Sequence, residues 1–164
     1  MKMLDLWPTT IAIYDIPLDL CLKIHDRHIT SNTKDWEDVI TPDEAKLIFR
    51  KFSSYEICDG WIRTLTTDSN NNFELHCDNH YGNQLVAVIQ LFGEEEKGGE
   101  LVLYDPSWKN PQWMSDTVNP NSNKHEFPFK MGQVIVFPSN VWHEVKAYHG
   151  SIHRTTLNLM LRKK

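Results

Sequence analysis

The pattern of apolar and polar residues changes at about residue 70. The first part predicts a mixture of strands and helices, and the second part predicts short strands. In the first part, the β-branched and aromatic stretch Thr9 to Tyr14 predicts a strand, and the apolar spacing in Asp19 to His28 predicts a helix. A second helix is predicted to begin at Thr41, because a proline follows this hydroxyl N-cap and Glu44 completes a capping box. Residues Trp61 to Thr67 again have the composition of a strand.

After about residue 70, short apolar segments alternate with turn residues, which is typical of an antiparallel barrel or jelly roll. Six strands are predicted there: Phe73 to Asp78, Gln84 to Phe92, Gly99 to Tyr104, Gln133 to Pro138, His143 to Tyr148 and Arg154 to Leu161. The Asn-, Pro- and Trp-containing stretch Asp105 to Lys130 is predicted to be a long loop. We therefore predict a mainly β protein with flanking helices, in a single domain 1–164. Residues 1–70 would supply strands and supporting helices, and residues 71–164 a jelly-roll core.

Composition narrows the class of protein. The chain is 40% hydrophobic and 24% charged, and it has no apolar run near the ~20 residues that a membrane span needs. A net charge of −5 gives no global electrostatic footprint for nucleic acid. Residues 1–8 include an acid and a proline where a signal peptide would be apolar, so a signal peptide is not expected. The three cysteines are expected to be reduced thiols. We expect a cytoplasmic protein that binds neither membranes nor nucleic acid, and the oligomeric state stays open.

His76-Cys77-Asp78 is the first candidate for metal binding, because residues i and i+2 of a strand point to the same face. His143, near the start of a later predicted strand, is the candidate third ligand. Two imidazoles and one carboxylate form the ligand set of non-haem Fe(II) oxygen chemistry. The alternatives stay open at this point, since a lone His-x-Asp is common and His143 can equally pack beside Trp142 at a strand end.

The order of the downstream motifs adds to this pattern. After His76 and Asp78 come Gly98-Gly99-Glu100-Leu101, then Gly132 to Phe137, then His143, and Arg154-Thr155-Thr156 eleven residues later. With these motifs in this order, the segment from about Phe73 to Leu161 resembles the 2-oxoglutarate/Fe(II) dioxygenase superfamily, particularly its prolyl-hydroxylase-like branch. The opening Leu6 to Ile11 looks similar to short phage and marine bacterial members, for which the location would be the host cytoplasm.

The resemblance implies a double-stranded β-helix core, cupin-like in its jelly-roll form. It also implies Fe(II), 2-oxoglutarate and O₂ as cofactors, with ascorbate as the reductant in vitro, and iron held by His76, Asp78 and His143. Arg154 would bind the distal carboxylate of 2-oxoglutarate, because guanidinium offers two parallel charge-assisted hydrogen bonds. A surface ion pair is the alternative role for Arg154.

Further cofactor and substrate residues are expected around these positions. Thr156 and Asn158 share a strand face with Arg154, and Thr156 can add a hydroxyl donor. Gln90 falls where many prolyl hydroxylases have a tyrosine that contacts the same carboxylate. Candidates to line the substrate entrance, or alternatively ordinary loop residues, are Asn79, Tyr81, Trp108 and Trp113.

Three functions are compatible with the sequence. The first is hydroxylation of a protein or peptide residue, with proline the leading substrate by resemblance. The second is the same chemistry on a free amino acid, another small metabolite or an alkylated base. The third is a non-catalytic, cupin-like module that binds a metal or small ligand. Arg154-x-Thr156 argues against the third, because a simple metal module needs no carboxylate anchor. The sequence does not separate the first two.

Overall fold

The computed structural model describes residues 1–6, 9–66, 73–78, 84–105 and 123–164 of the chain. These residues form α1 (Leu18–Ser31), α2 (Pro42–Ile48), two short 3₁₀ helices (Trp36–Asp38 and Arg50–Phe52) and the strands β1 (Lys2–Leu6), β2 (Thr9–Asp15), β3 (Tyr55–Leu65), β4 (Phe73–His76), β5 (Leu85–Phe92), β6 (Leu101–Tyr104), β7 (Lys124–Phe127), β8 (Gln133–Pro138), β9 (His143–Val145) and β10 (Arg154–Lys163). None of the described helices is long and apolar enough to cross a membrane.

Both predicted helices are confirmed, and each has an identifiable local cause. α1 begins after Pro17 and ends at Asn32, which adopts a left-handed conformation and donates its N–H to the His28 carbonyl. α2 begins at Thr41, whose hydroxyl accepts from the Glu44 N–H while the Glu44 carboxylate accepts from the Thr41 N–H. The capping box predicted from the sequence is therefore formed.

The strands form two antiparallel sheets. The major sheet has the order β1-β2-β8-β5-β10-β3, and the minor sheet has the order β4-β9-β6-β7. Apart from the pairs β1-β2 and β6-β7, the neighbours in each order are not consecutive in the chain, as expected for a jelly roll. The mainly β class and the double-stranded β-helix architecture are thus confirmed.

Two strands were not predicted, and both lie at sheet edges. β1 pairs on one side with β2, and β7 pairs on one side with β6. β7 lies inside the stretch Asp105 to Lys130, so the prediction of a loop is wrong for this part of it. Its sequence, Lys-His-Glu-Phe, buries one residue and carries little apolar signal. Residues 106–122 of the predicted loop lie outside the described residues.

The major sheet separates two hydrophobic cores. The outer core lies between this sheet and the helices and includes Leu20, Ile24, Ile89, Leu157 and Leu159. The inner core lies between the two sheets and includes Val86, Val88, Leu101, Ile135 and Phe137. Because adjacent strand residues point to opposite faces, each central strand contributes alternately to both cores.

Candidate metal centre and adjoining cleft

Antiparallel pairing of β4 and β9 brings the predicted metal ligands together. His76 at the end of β4 lies directly opposite His143 at the start of β9. Asp78 follows β4, and its N–H donates to the Ser139 carbonyl over 3.0 Å. The turn that precedes His143 therefore also fixes the backbone of Asp78.

The three side chains converge on one point. Asp78 Oδ1 is 3.5 Å from His76 Nε2, and Asp78 Oδ2 is 3.3 Å from His143 Nε2. One ligand atom from each residue lies within 4.8 Å of the others, and this is the one such three-residue cluster among the described His, Cys, Asp and Glu residues. Asp78 and His143 are buried, and His76 is half-buried. Two imidazoles and a carboxylate in this arrangement fit a ferrous ion.

Backbone hydrogen bonds fix the histidine tautomers. His76 Nδ1 lies 2.7 Å from the Glu74 carbonyl, and His143 Nδ1 lies 3.1 Å from the Val141 carbonyl. Because a carbonyl can only accept, both Nδ1 atoms must carry the proton. Each Nε2 then offers its lone pair towards the shared centre. Burial lowers the pKa of His76, as does the charge of His143, which favours the neutral, metal-binding form.

A cleft between the two sheets begins at this centre. Six of the predicted site residues line it: His76, Asp78, His143, Arg154, Thr156 and Asn158. Its other walls are mostly apolar and comprise Trp61, Leu65, Val86, Val88, Leu101 and Val145, together with Arg63.

Arg154 is a buried cation of the cleft. Its side chain is 2% exposed, and its guanidinium lies 4.9 Å from the centre of the Phe129 ring. Within the described parts of the chain, no acid forms an ion pair with it, and its Nε has no hydrogen-bond partner. Burial lowers the pKa of Arg154 to about 10, so the group stays protonated at neutral pH. A buried charge of this kind requires an anion, and the burial of Arg154 argues against the surface ion pair as its alternative role.

Two glycines make room for Arg154. A Cβ at Gly93 would lie 3.1 Å from Arg154 Cβ and Cγ, and a Cβ at Gly99 would lie 2.8 Å from Arg154 Nη1. Gly99 also has a φ of +74°, which other residues rarely adopt. Gly99 of the Gly98-Gly99 motif therefore has a local role, since it leaves space for the guanidinium.

Gln90 lies on the inner side of the major sheet but is not among the residues that line the cleft. It is opposite Thr156 in the pairing of β5 with β10. Its Oε1 accepts from the Lys130 N–H, while its buried Nε2 has no hydrogen-bond partner in the described structure. A contact between Gln90 and the cofactor stays a prediction.

Trp61 and Arg63 were missed as cleft residues by the sequence analysis, which predicted only a strand there. The arginine within Trp61-Ile62-Arg63-Thr64-Leu65 could have indicated these two residues, because a charged side chain inside a largely apolar strand needs polar surroundings. The four predicted substrate-lining residues, Asn79, Tyr81, Trp108 and Trp113, lie outside the described residues.

The family model described as the 2OG-Fe(II) oxygenase superfamily matches residues 62–162. A comparison with curated proteins found no match. Among solved structures, an oxidoreductase of the 2OG-Fe(II) oxygenase family from Burkholderia pseudomallei is 21% identical, with a TM-score of 0.52 over 75% of this chain. The chain covers 53% of that protein, about half of its length.

Two other solved structures match over most of their length. A prolyl-4-hydroxylase from Pseudomonas putida is 16% identical, with a TM-score of 0.57, and the alignment covers 94% of this chain and 88% of that one. AviO1 from Streptomyces viridochromogenes Tue57 is 12% identical, with a TM-score of 0.70 over 93% of this chain and 89% of that one. At these identities the likeness concerns the fold.

Proposed function

Because the chain belongs to the 2OG-Fe(II) oxygenase superfamily, we propose that it hydroxylates an unactivated C–H bond, using His76, Asp78 and His143 as iron ligands and Arg154 as the 2-oxoglutarate anchor. It is an enzyme of the 2-oxoglutarate-dependent oxygenase class, and its cofactors are Fe(II), 2-oxoglutarate and O₂. The observation that carries the proposal is a cleft with a metal-ligand triad at one position and a buried guanidinium at another.

Iron and 2-oxoglutarate, when bound, supply the oxidation: 2-oxoglutarate, O₂ and a C–H bond become succinate, CO₂ and a C–OH group. His76, Asp78 and His143 would hold the iron as three protein ligands, the set that suits non-haem Fe(II) oxygen chemistry. The backbone carbonyls of Glu74 and Val141 orient the two imidazoles for this task.

Arg154 holds the far carboxylate of 2-oxoglutarate in this proposal. Its guanidinium has the geometry for a bidentate contact, and the neighbouring Thr156 hydroxyl can donate to the same carboxylate. Asn158 on the same strand face, and the Gln90 Nε2 beside Thr156, are further proposed donors. A module that binds only a metal gains nothing from a buried cation in the cleft, which supports the enzyme over a cupin-like binding module.

The apolar walls limit water in the cleft. Val86, Val88, Leu101 and Val145 line it beside the polar residues. Such a lining favours reaction with a bound substrate over side reactions with solvent. When cofactors supply the difficult chemistry, excluding competing reactions is the task of the protein.

For the substrate, we propose first a prolyl residue of a protein or peptide. The similarity to a prolyl-4-hydroxylase supports this choice at the level of the fold. The second candidate is a free amino acid or other small metabolite. We also propose that the enzyme acts in the cytoplasm, since Cys21, Cys58 and Cys77 form no disulfide.

The proposed function is tested with purified protein, Fe(II), ascorbate and 2-oxoglutarate. Without substrate we expect slow succinate formation. With a proline-containing peptide or free L-proline we expect faster succinate formation, and the peptide or the proline should gain the mass of one oxygen atom. Succinate is measured by chromatography and the product by mass spectrometry. If iron is bound and succinate does not exceed the background of the His143→Ala variant, the oxygenase proposal is wrong.

Gly99→Ala should raise the requirement for 2-oxoglutarate, because the new Cβ would lie 2.8 Å from Arg154 Nη1 and displace the guanidinium. If displacing the guanidinium relieves about 1 to 3 kcal/mol of strain, the half-saturating concentration should rise by roughly 5-fold to 150-fold. Gly132→Ala is the matched control: Gly132 also has a positive φ, but its Cβ would meet Ile16 and Leu18, away from Arg154. Equal 2-oxoglutarate requirements for the two variants would contradict the role given to Gly99.

A further inference from the structure

Arg154 lies at the very start of β10, where the strand pairings among the described residues hold it on one side. It is the first residue of β10 and is opposite a residue of β3. The pairing of β10 with β5 begins one residue later, with Thr155 opposite Phe92, and it changes register between Thr155 and Thr156. On the β5 side, the position of Arg154 therefore depends on the three residues before it, 151–153.

Side-chain hydrogen bonds hold these three residues from two directions. Glu94, which lies in the turn after β5, accepts from the N–H groups of Ser151 and Ile152 and from the Ser151 hydroxyl. His153 is held instead from α1, where His25 Nε2 lies 2.8 Å from His153 Nε2. The turn and the helix together fix the chain that leads into β10.

The contact between His25 and His153 is an in-line hydrogen bond. The ring centres are 5.1 Å apart and the rings are 15° from parallel, so the two Nε2 atoms must lie close to the line that joins the centres. His25 Nδ1 lies 3.3 Å from a carboxylate oxygen of Asp26, which can only accept. Neutral His25 therefore has its proton on Nδ1, and its Nε2 accepts from the N–H of His153. Burial lowers the pKa of His153, as do the charges of His25 and His28, and this favours a bond between neutral imidazoles.

The ring of Phe92 packs against both imidazoles. Its centre lies 4.3 Å from that of His25 and 5.0 Å from that of His153. His25 is 7% exposed, and Phe92 is itself opposite Thr155 in the sheet. The helix, the end of β5 and the start of β10 thus meet at this hydrogen bond, one residue before Arg154.

We propose that His25 is a positioning residue for the 2-oxoglutarate anchor: through its hydrogen bond to His153 it holds the start of β10 and so keeps Arg154 in place for the distal carboxylate. This inference rests on the proposed function, because it concerns the same anchor. The physical reason is preorganisation. A guanidinium that is already held in its binding position loses less freedom when the carboxylate arrives.

The first test measures succinate formation at increasing 2-oxoglutarate concentrations with protein loaded with Fe(II). His25→Phe keeps a flat ring against Phe92 but loses the hydrogen bond. Its KM for 2-oxoglutarate should rise about two- to twelvefold, the value of one net hydrogen bond, with kcat within about twofold of the native value. His25→Gln offers an amide oxygen that can accept from His153, so its KM should return to within about twofold of native.

Lys23→Gln is the control for this test, because Lys23 is an exposed residue of the same helix. Its KM and kcat should match those of the native protein. The proposal is overturned by an unchanged KM in His25→Phe, by equal KM values in His25→Phe and His25→Gln, or by a loss of kcat without a change in KM. The last result would give His25 a role in stability alone.

A second test uses the native protein and does not depend on whether a variant folds. In protein loaded with Zn(II), a diamagnetic substitute for Fe(II), NMR with isotopically labelled histidine should show one proton coupled to nitrogens of two imidazoles. Because coupling between two sites is reciprocal, saturating 2-oxoglutarate should slow the exchange of this proton with water by a similar factor, about two- to twelvefold.

Absence of the shared proton overturns the proposal. The same holds if its exchange rate stays unchanged while titration calorimetry shows that 2-oxoglutarate is bound. Failure of the proposed function is recognised separately: the native protein would then bind no 2-oxoglutarate and form no succinate, whatever the state of the two histidines.

Discussion

Replacing His143 with alanine is expected to reduce succinate formation from 2-oxoglutarate at least 100-fold. The residue is 5% exposed, its tautomer is fixed by the Val141 carbonyl, and its Nε2 points at Asp78. Loss even of residues that only support metal ligands costs about 10- to 100-fold in metal affinity or activity, so loss of a ligand should cost more. Bound iron, measured by atomic absorption after dialysis, should decrease in parallel.

His149→Ala provides the control for this experiment, because His149 is an exposed histidine outside the triad. Its succinate formation and iron content should match those of the native protein. Full activity of the His143→Ala variant, or equal loss in both variants, would remove His143 from the proposed ligand set.

Replacing Arg154 with alanine should raise the 2-oxoglutarate concentration needed for half-maximal succinate formation by about 30-fold to a few thousandfold. This range corresponds to the ~2 to 5 kcal/mol lost when one partner of a buried, hydrogen-bonded charge pair is removed. The distal carboxylate would then enter an apolar site without its cation. The iron content should stay unchanged, because Arg154 lies outside the ligand triad.

Arg154→Lys separates charge from geometry. A lysine keeps the positive charge but lacks the planar fork, so its 2-oxoglutarate requirement should lie between those of the native and alanine proteins. If Arg154→Ala leaves the requirement unchanged while succinate is still formed, the anchor lies elsewhere in the cleft.

The sequence predicted the candidate site better than it predicted the edges of the fold. Strand alternation is local, so the shared face of His76 and Asp78 could be recognised from three residues. The proximity of His143 is not local. It depends on the pairing of β4 with β9. The order of the motifs in the family resemblance indicated this proximity, whereas the number of residues between His76 and His143 did not.

Trp61 and Arg63 illustrate the physical limit of such predictions. Alternation within β3 indicates that they share a face, but not whether that face meets the helices or the cleft. Ile62 on the other face is buried in the outer core, so both faces of β3 carry apolar residues. A shift of one residue in the pairing with β10 would exchange the two faces, and the sequence of β3 alone does not exclude it.

The alternation of β10 has a consequence for how this protein can change. Leu157, Leu159 and Leu161 face the outer core, whereas Arg154, Thr156 and Asn158 face the cleft. The residues that stabilise the fold and those that select a ligand are thus interleaved along one strand, yet they contact different surroundings. A mutational library confined to positions 156 and 158 would therefore change how the cleft holds its ligands while the leucines that face the outer core stay in place.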